Sequence, residues 1–346
     1  MPKPELPFII FETTSVCNLN CRYCYNIWKA PIGEKYKFDS YKKARKTLKR
    51  LFSKVQVDQI TFTGGEPLLA ERFLELVLFA RLRKKQVSII TNGNAGSRDD
   101  FFMLIKMGVG LFELPIHSYI SEEHDFMANV NGSWTNSVEK TKQILDLGGN
   151  VVAVIVITKH NYKSIKETIR FIQSIGVNRI MLNRYNIGGA GITQIKELVM
   201  SKEEINFAFS EANLAAKEFG VRLTSNVCTP LCLLNPTDFP QIGFTSCSSN
   251  ILNKPLTLDI EGNMRICNHS PIIIGNIYEN KIEEILENDY LKKWTEIVPD
   301  FCSNCNIFNK CLGGCRAASE QMGLGLESVD PILTILDEIA NNNKTK

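Results

Sequence analysis

The chain has 346 residues, of which 44% are hydrophobic and 22% are charged, a composition that excludes global disorder and collagen-like repeats. The formal net charge of +3 is too small to indicate a nucleic-acid or membrane-surface partner. The longest apolar run, from Val151 to Ile157, is far shorter than the roughly 20 residues of a membrane span. The amino terminus lacks a basic region followed by an apolar core, so no secretion signal is predicted.

The first two thirds of the chain alternates strand and helix patterns. Six short β-type runs begin at Pro7, Asp58, Gln86, Leu111, Val151 and Arg179. The helical-period stretches that follow them are 39–54, 68–83, 98–107, 135–147, 162–175 and 201–219. Asp39 and Ser201 are candidate N-caps, and the predicted helix ends are Gly108, Gly148, Gly176 and Gly220. Six such units predict a mainly parallel sheet, either a partial barrel or a doubly wound arrangement.

After about Arg222 the alternation gives way to loops and short hairpin patterns. Residues 256–267 are typical of two strands joined by a turn at Gly262. We therefore divide the chain into a region of residues 1–220 and a carboxyl-terminal, cysteine-rich region of residues 221–346.

The eleven cysteines are the informative part of the composition, because an odd number in a large chain favours metal ligation over disulfides. Cys17, Cys21 and Cys24 directly follow the first predicted strand. Three thiolates on one loop can hold three irons of a 4Fe–4S cluster and leave the fourth iron free for another ligand. The alternative is a structural zinc loop, but such a site is normally closed by a fourth Cys or His, and the first histidine is His117.

The second predicted strand ends in Gly64-Gly65-Glu66-Pro67, where glycines permit close approach of a ligand and Glu66 can accept hydrogen bonds from an ammonium group. With the cysteine loop and the six strand–helix units, this turn makes the region resemble the radical SAM superfamily. The resemblance implies an α/β fold, a partial (β/α)6 TIM-like barrel, whose cluster binds S-adenosylmethionine (SAM). Reductive cleavage of SAM would yield a 5′-deoxyadenosyl radical that removes hydrogen from a substrate.

The same resemblance implies roles for individual residues. Cys17, Cys21 and Cys24 would ligate the SAM-binding cluster, Tyr23 would lie against the adenine, and Gly64, Gly65 and Glu66 would hold the methionyl ammonium. The strand ends would contact the ribose and carboxylate through Ser118, Lys159 and Arg184. His117, beside Ser118, is either a ligand or a hydrogen-bonded scaffold residue.

The other eight cysteines lie between Cys228 and Cys315, and by spacing alone they fit two zinc knuckles or two iron–sulfur clusters. Together with the first motif, they resemble the SPASM extension, which carries auxiliary 4Fe–4S clusters. The resemblance implies one auxiliary cluster on Cys247, Cys267, Cys315 and an upstream cysteine, for which Cys232 is the first choice and Cys228 the alternative. The other would use Cys302, Cys305 and Cys311.

Two questions about these ligands stay open in the sequence. No cysteine follows Cys315, so the second auxiliary cluster would have an open iron or a ligand such as Glu320, Asp330 or His269. Cys232 is nearer to Cys247 than Cys228 is, which leaves Cys228 as either a buried apolar residue or a catalytic thiol that donates hydrogen to a substrate radical.

The resemblance favours an enzyme that crosslinks, epimerises or oxidises a peptide or protein side chain. It would need a low-potential electron donor such as flavodoxin or ferredoxin. Because Cys17 is too near the start of the chain for a leader-binding winged helix, a separate leader-peptide-binding protein is expected. The alternatives are a tetrapyrrole side chain or a small sugar-like substrate, and a non-catalytic electron carrier or zinc scaffold. Oxygen-sensitive clusters predict an anaerobic or microaerobic cytoplasm.

Overall fold

The computed structural model describes residues 3–30, 40–248 and 250–344. Within these ranges the strands are β1 Glu5–Glu12, β2 Gln56–Thr63, β3 Gln86–Ile90, β4 Leu111–Pro115, β5 Val151–Ile157, β6 Arg179–Arg184, β7 Arg222–Ser225, β8 Ile242–Phe244, β9 Thr257–Asp259, β10 Asn263–Arg265 and β11 Ile273–Asn276. The helices are α1 Ser40–Lys54, α2 Phe73–Arg81, α3 Arg98–Lys106, α4 Ser121–Ala128, α5 Ser133–Asp146, α6 Ile165–Ser174, α7 Ile195–Leu198, α8 Lys202–Phe219, α9 Ile282–Leu286, α10 Asp289–Glu296, α11 Phe308–Cys311, α12 Arg316–Gln321 and α13 Pro331–Lys344. None of these helices combines the length and the apolarity needed to cross a membrane.

All the strands belong to one open sheet in the order β11-β10-β9-β1-β2-β3-β4-β5-β6-β7-β8. The neighbours from β1 to β8 are parallel, and β9 joins β1 in parallel register with Leu258 opposite Phe11. The predicted partial (β/α)6 barrel is therefore confirmed as the centre of the sheet. Because parallel strands end at the same edge, the loops after β1, β2 and β3 meet there.

Capping patterns in the sequence correspond to helix ends in the structure. The Ser201 side chain accepts the Glu204 N–H at 3.2 Å, and the Glu204 carboxylate accepts the Ser201 N–H at 2.8 Å, a capping box that begins α8. The helix ends at Gly220, whose φ of 67° is a left-handed conformation that glycine adopts without strain. Gly108, Gly148 and Gly176 likewise follow α3, α5 and α6 with positive φ. Asp39, the other predicted cap, lies outside the described residues.

Aromatic side chains on one face of the sheet form the core against the helices. Phe11 and Phe62 pack edge to face with ring centroids 6.0 Å apart, and Phe112 packs in the same way on Phe101 of α3. All four side chains are fully buried, and each stabilises the fold by about 1.5–3 kcal/mol. Because side chains alternate along a strand, Glu113 falls on the opposite face, inside the partial barrel.

The predicted hairpin forms and attaches the carboxyl-terminal region to the barrel. β9 and β10 are antiparallel and are joined at Gly262, whose φ is 89°. Arg265 of β10 and Glu12 of β1 form a buried ion pair. The predicted boundary at residue 220 falls between α8 and β7, and β7 to β11 extend the same sheet on both sides of the six central strands.

Candidate active site

The loop after β1 carries three thiols in a short span. The Cys24 N–H donates to the Cys21 carbonyl at 3.2 Å, which closes the loop, and the Arg22 N–H donates to the Met127 carbonyl at 3.0 Å, which fixes it on α4. Burial, together with the charges of Cys24 and Cys17, raises the pKa of Cys21 to about 12. The three predicted cluster ligands therefore face one another. Binding to iron would take them as thiolates, which the metal charge would stabilise.

The glycines of the Gly64-Gly65 turn are required by the backbone of that loop. A Cβ on Gly64 would lie 2.3 Å from the Thr14 carbonyl oxygen, and one on Gly65 would lie 2.0 Å from the Val16 oxygen. The Gly65 N–H donates to Thr14 and the Glu66 N–H to Val16, both at 2.7 Å. The turn thus holds the cysteine loop in place through its backbone.

Glu66 connects this turn to the loop after β3. Its carboxylate accepts the Thr91 hydroxyl at 2.6 Å, the Asn92 N–H at 2.7 Å and the Leu68 N–H at 3.1 Å. Burial, opposed by those three hydrogen bonds, raises the pKa of Glu66 to about 7. The Asn92 side chain in turn contacts Cys17 Sγ at 3.8 Å. A buried carboxyl beside the cysteine loop fits an ammonium group, and the ammonium contact itself stays a prediction.

Tyr23 and His117 form an aromatic corner next to the cysteine loop. Tyr23 is hydrogen-bonded to Cys21, and its ring meets the His117 ring edge to face with centroids 4.6 Å apart. His117 Nδ1 accepts the Val156 N–H at 3.2 Å, so Nε2 carries the imidazole proton. That Nε2 is buried and has no hydrogen-bond partner among the described residues. The His117 N–H and the neighbouring Tyr23 ring together offer a nucleoside a hydrogen-bond donor and an aromatic surface.

At the other strand ends, the structure shows where the residues expected to contact SAM lie. The Ser118 hydroxyl donates to Glu123 on α4, and the Lys159 side chain is exposed. Arg184 is almost fully buried and forms an ion pair with Asp330. The contacts of these three residues with SAM stay predictions.

The eight remaining cysteines separate into two sets in space. We define the first auxiliary set as Cys228, Cys247, Cys267 and Cys315, and the second auxiliary set as Cys232, Cys302, Cys305 and Cys311. In the first set, the hydrogen bond from Cys228 to Cys247, together with burial, raises the pKa of Cys228, and the charges of its three partners raise it further. In the second set, burial together with the charges of Cys311, Cys305 and Cys232 raises the pKa of Cys302 to about 11.

Comparison with known proteins identifies two domains. A profile described as the radical SAM superfamily matches residues 11–172, and the SPASM profile, described as an iron–sulfur cluster-binding domain, matches residues 247–306. The chain therefore carries a radical SAM domain and a SPASM domain. It is 23% identical over 332 residues to the PqqA peptide cyclase of Xanthomonas euvesicatoria. This alignment covers 94% of the present chain and 86% of the cyclase.

Solved radical SAM structures share the fold. SuiB of Streptococcus suis bound to its precursor peptide SuiA superposes with a TM-score of 0.70 at 16% identity, over 95% of this chain and 75% of that chain. The anSMEcpe structure with bound AdoMet gives a TM-score of 0.72 at 16% identity, over 99% of this chain and 96% of that chain.

The SPASM cysteines depart from the predicted ligand sets. Cys228, expected as the spare thiol, lies in the first auxiliary set, and Cys232, expected there, lies with the second. The reason is a packing contact that spacing does not show: the Leu231 N–H donates to Cys311 Sγ at 3.4 Å and draws this segment to the second set.

Donor spacing distinguishes clusters from single ions. Among the described residues, no three Cys, His, Asp or Glu side chains are arranged to hold one metal ion. A zinc ion needs all of its ligands around one centre, whereas a four-iron cluster spreads its thiolates over four metal atoms. The SPASM profile that matches residues 247–306 is described as an iron–sulfur cluster-binding domain, which favours clusters over zinc for the two cysteine sets.

The sequence did not identify two carboxylates near the cysteine loop. Glu12 is buried and pairs with Arg265, and Glu113 is half-buried inside the barrel, where desolvation, opposed by the charge of Arg179, raises its pKa to about 7. Both charges also act on Tyr25, which follows Cys24 in the cysteine loop. The available signal was a glutamate next to a run of apolar strand residues, since a charge is rarely withdrawn from solvent without a role.

Proposed function

We propose that this protein is a radical SAM enzyme that modifies a peptide or protein side chain. The observation that carries the proposal is the cysteine loop itself, which brings three thiols together and is held on the Gly-Gly-Glu turn by two backbone hydrogen bonds of 2.7 Å. Three protein ligands leave a four-iron cluster one open position. When bound there, the cluster and SAM supply reductive cleavage of SAM and hydrogen abstraction from a C–H bond.

The residues of the chain bind, orient and shield these groups. Cys17, Cys21 and Cys24 would hold the cluster, and the buried Glu66 and the His117 Nε2–H would offer SAM a hydrogen-bond acceptor and a hydrogen-bond donor. Their burial keeps water away from the reacting atoms, which strengthens every polar contact there and prevents side reactions.

A peptide substrate is supported by the proteins that this chain resembles. One relative is named a PqqA peptide cyclase, SuiB was solved with its precursor peptide SuiA, and anSMEcpe was solved with the Cp18Cys peptide. The face of the sheet inside the barrel carries polar groups that suit a peptide backbone, including Glu113 and the hydrogen-bonded pair Thr61 and Ser88.

The second auxiliary set is the proposed entry point for electrons. Cys232 and Cys305 are exposed, whereas all four members of the first set are buried or half-buried. A low-potential donor such as flavodoxin or ferredoxin would dock at this side. We also propose a separate leader-peptide-binding protein and an oxygen-poor cytoplasm, which suits exposed clusters.

The first experiment compares two cysteine variants after anaerobic reconstitution. The wild type should bind about 12 irons in three clusters and release 5′-deoxyadenosine under dithionite. Cys21→Ala should lose nucleoside formation and about 4 irons. Cys305→Ala is the matched control, which should lose iron but still form the nucleoside without substrate. Nucleoside formation by Cys21→Ala would contradict the proposed cluster site.

The substrate class is tested by deuterium transfer. The enzyme is incubated with deuterated peptides that represent the SuiA, PqqA and Cp18Cys types, and with deuterated coproporphyrinogen III. Deuterium in 5′-deoxyadenosine from any peptide supports the proposal. Transfer from the tetrapyrrole alone would replace the peptide by the alternative substrate.

A further inference from the structure

Two short links connect the auxiliary sets, and each link has the spacing C-x3-C. Residues 228–232 and residues 311–315 each begin and end with a cysteine. In both links, one cysteine belongs to the first auxiliary set and the other to the second. The two sets are therefore joined twice through short stretches of backbone.

The two links pack directly on each other. The Leu231 N–H donates to Cys311 Sγ at 3.4 Å, and Pro230 lies over Gly314. A Cβ on Gly314 would lie 2.7 Å from Pro230 Cγ, so only glycine leaves room for the first link. Gly314 also has a φ of 89°, and the two residues before it, Leu312 and Gly313, have positive φ as well. The backbone of the second link is thus shaped around the first.

The side chains that could replace a missing cysteine are committed elsewhere. Asp330 is paired with Arg184, and Glu320 accepts the hydroxyl of Tyr290. Both ring nitrogens of His269 are occupied, Nε2 by the Ile187 carbonyl at 3.0 Å and Nδ1 by the Asn186 side chain at 3.2 Å. Cys232, by contrast, is exposed, and it directly follows Leu231, whose N–H donates to Cys311 Sγ at 3.4 Å.

We infer that Cys232 is the fourth ligand of the second auxiliary cluster, with Cys302, Cys305 and Cys311, and that Cys228 completes the first with Cys247, Cys267 and Cys315. This inference rests on the proposed iron–sulfur chemistry, but its tests read iron and cluster spectra and do not use SAM cleavage. It assigns each of the eleven cysteines to one of three clusters. It also closes the second auxiliary cluster, which then carries electrons and has no iron open to substrate.

An epistasis experiment on the full-length, reconstituted protein separates the two assignments. The background variant Cys302→Ala/Cys305→Ala/Cys311→Ala lacks the second cluster and should retain about 8 irons. Adding Cys232→Ala should leave that number unchanged, because its cluster is already gone. Adding Cys228→Ala, the matched control four positions away, should remove about 4 more irons. Iron loss with Cys232→Ala and none with Cys228→Ala would overturn the assignment.

A second measurement takes its decisive reading on the unmodified protein and uses Cys232→Ala as the comparison. Cyanide binds an open iron and shifts the electron paramagnetic resonance signal of that cluster. Saturating SAM blocks the open iron of the SAM-binding cluster, held by Cys17, Cys21 and Cys24. With SAM present, cyanide should leave the auxiliary signals of the wild type unchanged and should shift one of them in Cys232→Ala. A cyanide-dependent shift of an auxiliary signal in the wild type would overturn the inference, because the second cluster would then be open.

Discussion

The buried ion pair between Arg184 and Asp330 should be essential to the SPASM domain. Their side chains are 1% and 0% exposed. Arg184 also donates to the Cys228 carbonyl at 3.0 Å, and Asp330 accepts the Cys315 N–H at 2.9 Å. The pair therefore joins the end of β6 to two cysteines of the first auxiliary set. Its loss should affect both the stability of the fold and the binding of iron.

The perturbation is Arg184→Met, which leaves Asp330 as a buried, unpaired carboxylate. Removing one partner of a buried pair costs about 3–5 kcal/mol, whereas an exposed pair contributes about 0–1 kcal/mol. Lys292 and Asp289 are the exposed control, with side chains 60% and 87% exposed. We expect Arg184→Met to lower the free energy of unfolding in urea by about 3–5 kcal/mol and to release the iron of the first auxiliary cluster. Lys292→Ala should change neither.

The double variant Arg184→Met/Asp330→Leu checks the physical cause. Removing both charges eliminates the unpaired carboxylate, so this variant should recover a large part of the stability lost in Arg184→Met. A cost below about 1 kcal/mol for Arg184→Met, as for a surface pair, would refute the reasoning. So would a double variant whose cost equals the sum of the two single variants.

Three further predictions concern the SAM-binding side. In Gly65→Ala the new Cβ would lie 2.0 Å from the Val16 oxygen, so the protein should lose about 4 irons while its circular dichroism spectrum stays unchanged. The control is Gly110→Ala, whose new Cβ would lie 3.6 Å from its nearest neighbour. Equal iron loss in the two variants would contradict the argument. Because burial raises the pKa of Glu66 to about 7 from an ordinary 4.5, the folded protein keeps a proton there that the unfolded chain releases, and SAM-free stability falls as the pH rises through this range. As the pH rises through this range, the free energy of unfolding of Glu66→Gln in urea should therefore increase by about 3 kcal/mol relative to that of the wild type. Parallel pH profiles of the two proteins would exclude this effect. His117→Phe keeps the ring contact but removes the Nε2–H, so calorimetry should show about tenfold weaker SAM binding; an unchanged Kd would show that this donor does not reach SAM.

Local patterns were sufficient for the barrel. The capping box at Ser201, the left-handed Gly220 and the turn at Gly262 each depend on residues within a few positions, so the sequence predicts them directly. The spacing of Cys17, Cys21 and Cys24 also lies within one loop, and the structure brings these thiols together as expected.

It is harder to predict which side chains at the strand ends face the cysteine loop, because a shift of one residue reverses the direction of a side chain. His117 and Ser118 follow β4 and are both buried, but His117 meets Tyr23 while Ser118 turns to Glu123. The sequence predicts a SAM contact for Ser118, whose hydroxyl donates to Glu123 of α4 in the structure. The ion pair of Arg184 could not be predicted for a different reason, since its partner Asp330 comes from a distant part of the chain that no local pattern connects to β6.

The cysteine sets show why spacing alone does not assign cluster ligands. The spacing C-x3-C occurs at 17–21, 228–232 and 311–315. The first pair lies in a compact loop and serves one site, because Cys24 folds back on Cys21 through a backbone hydrogen bond of 3.2 Å. In each of the other two pairs, one cysteine lies in the first auxiliary set and the other lies in the second. Four residues of extended chain span up to about 13 Å, enough to reach from one cluster to the next. What selects between these outcomes is the packing of Pro230 on Gly314, a contact between residues 84 positions apart that no single segment encodes.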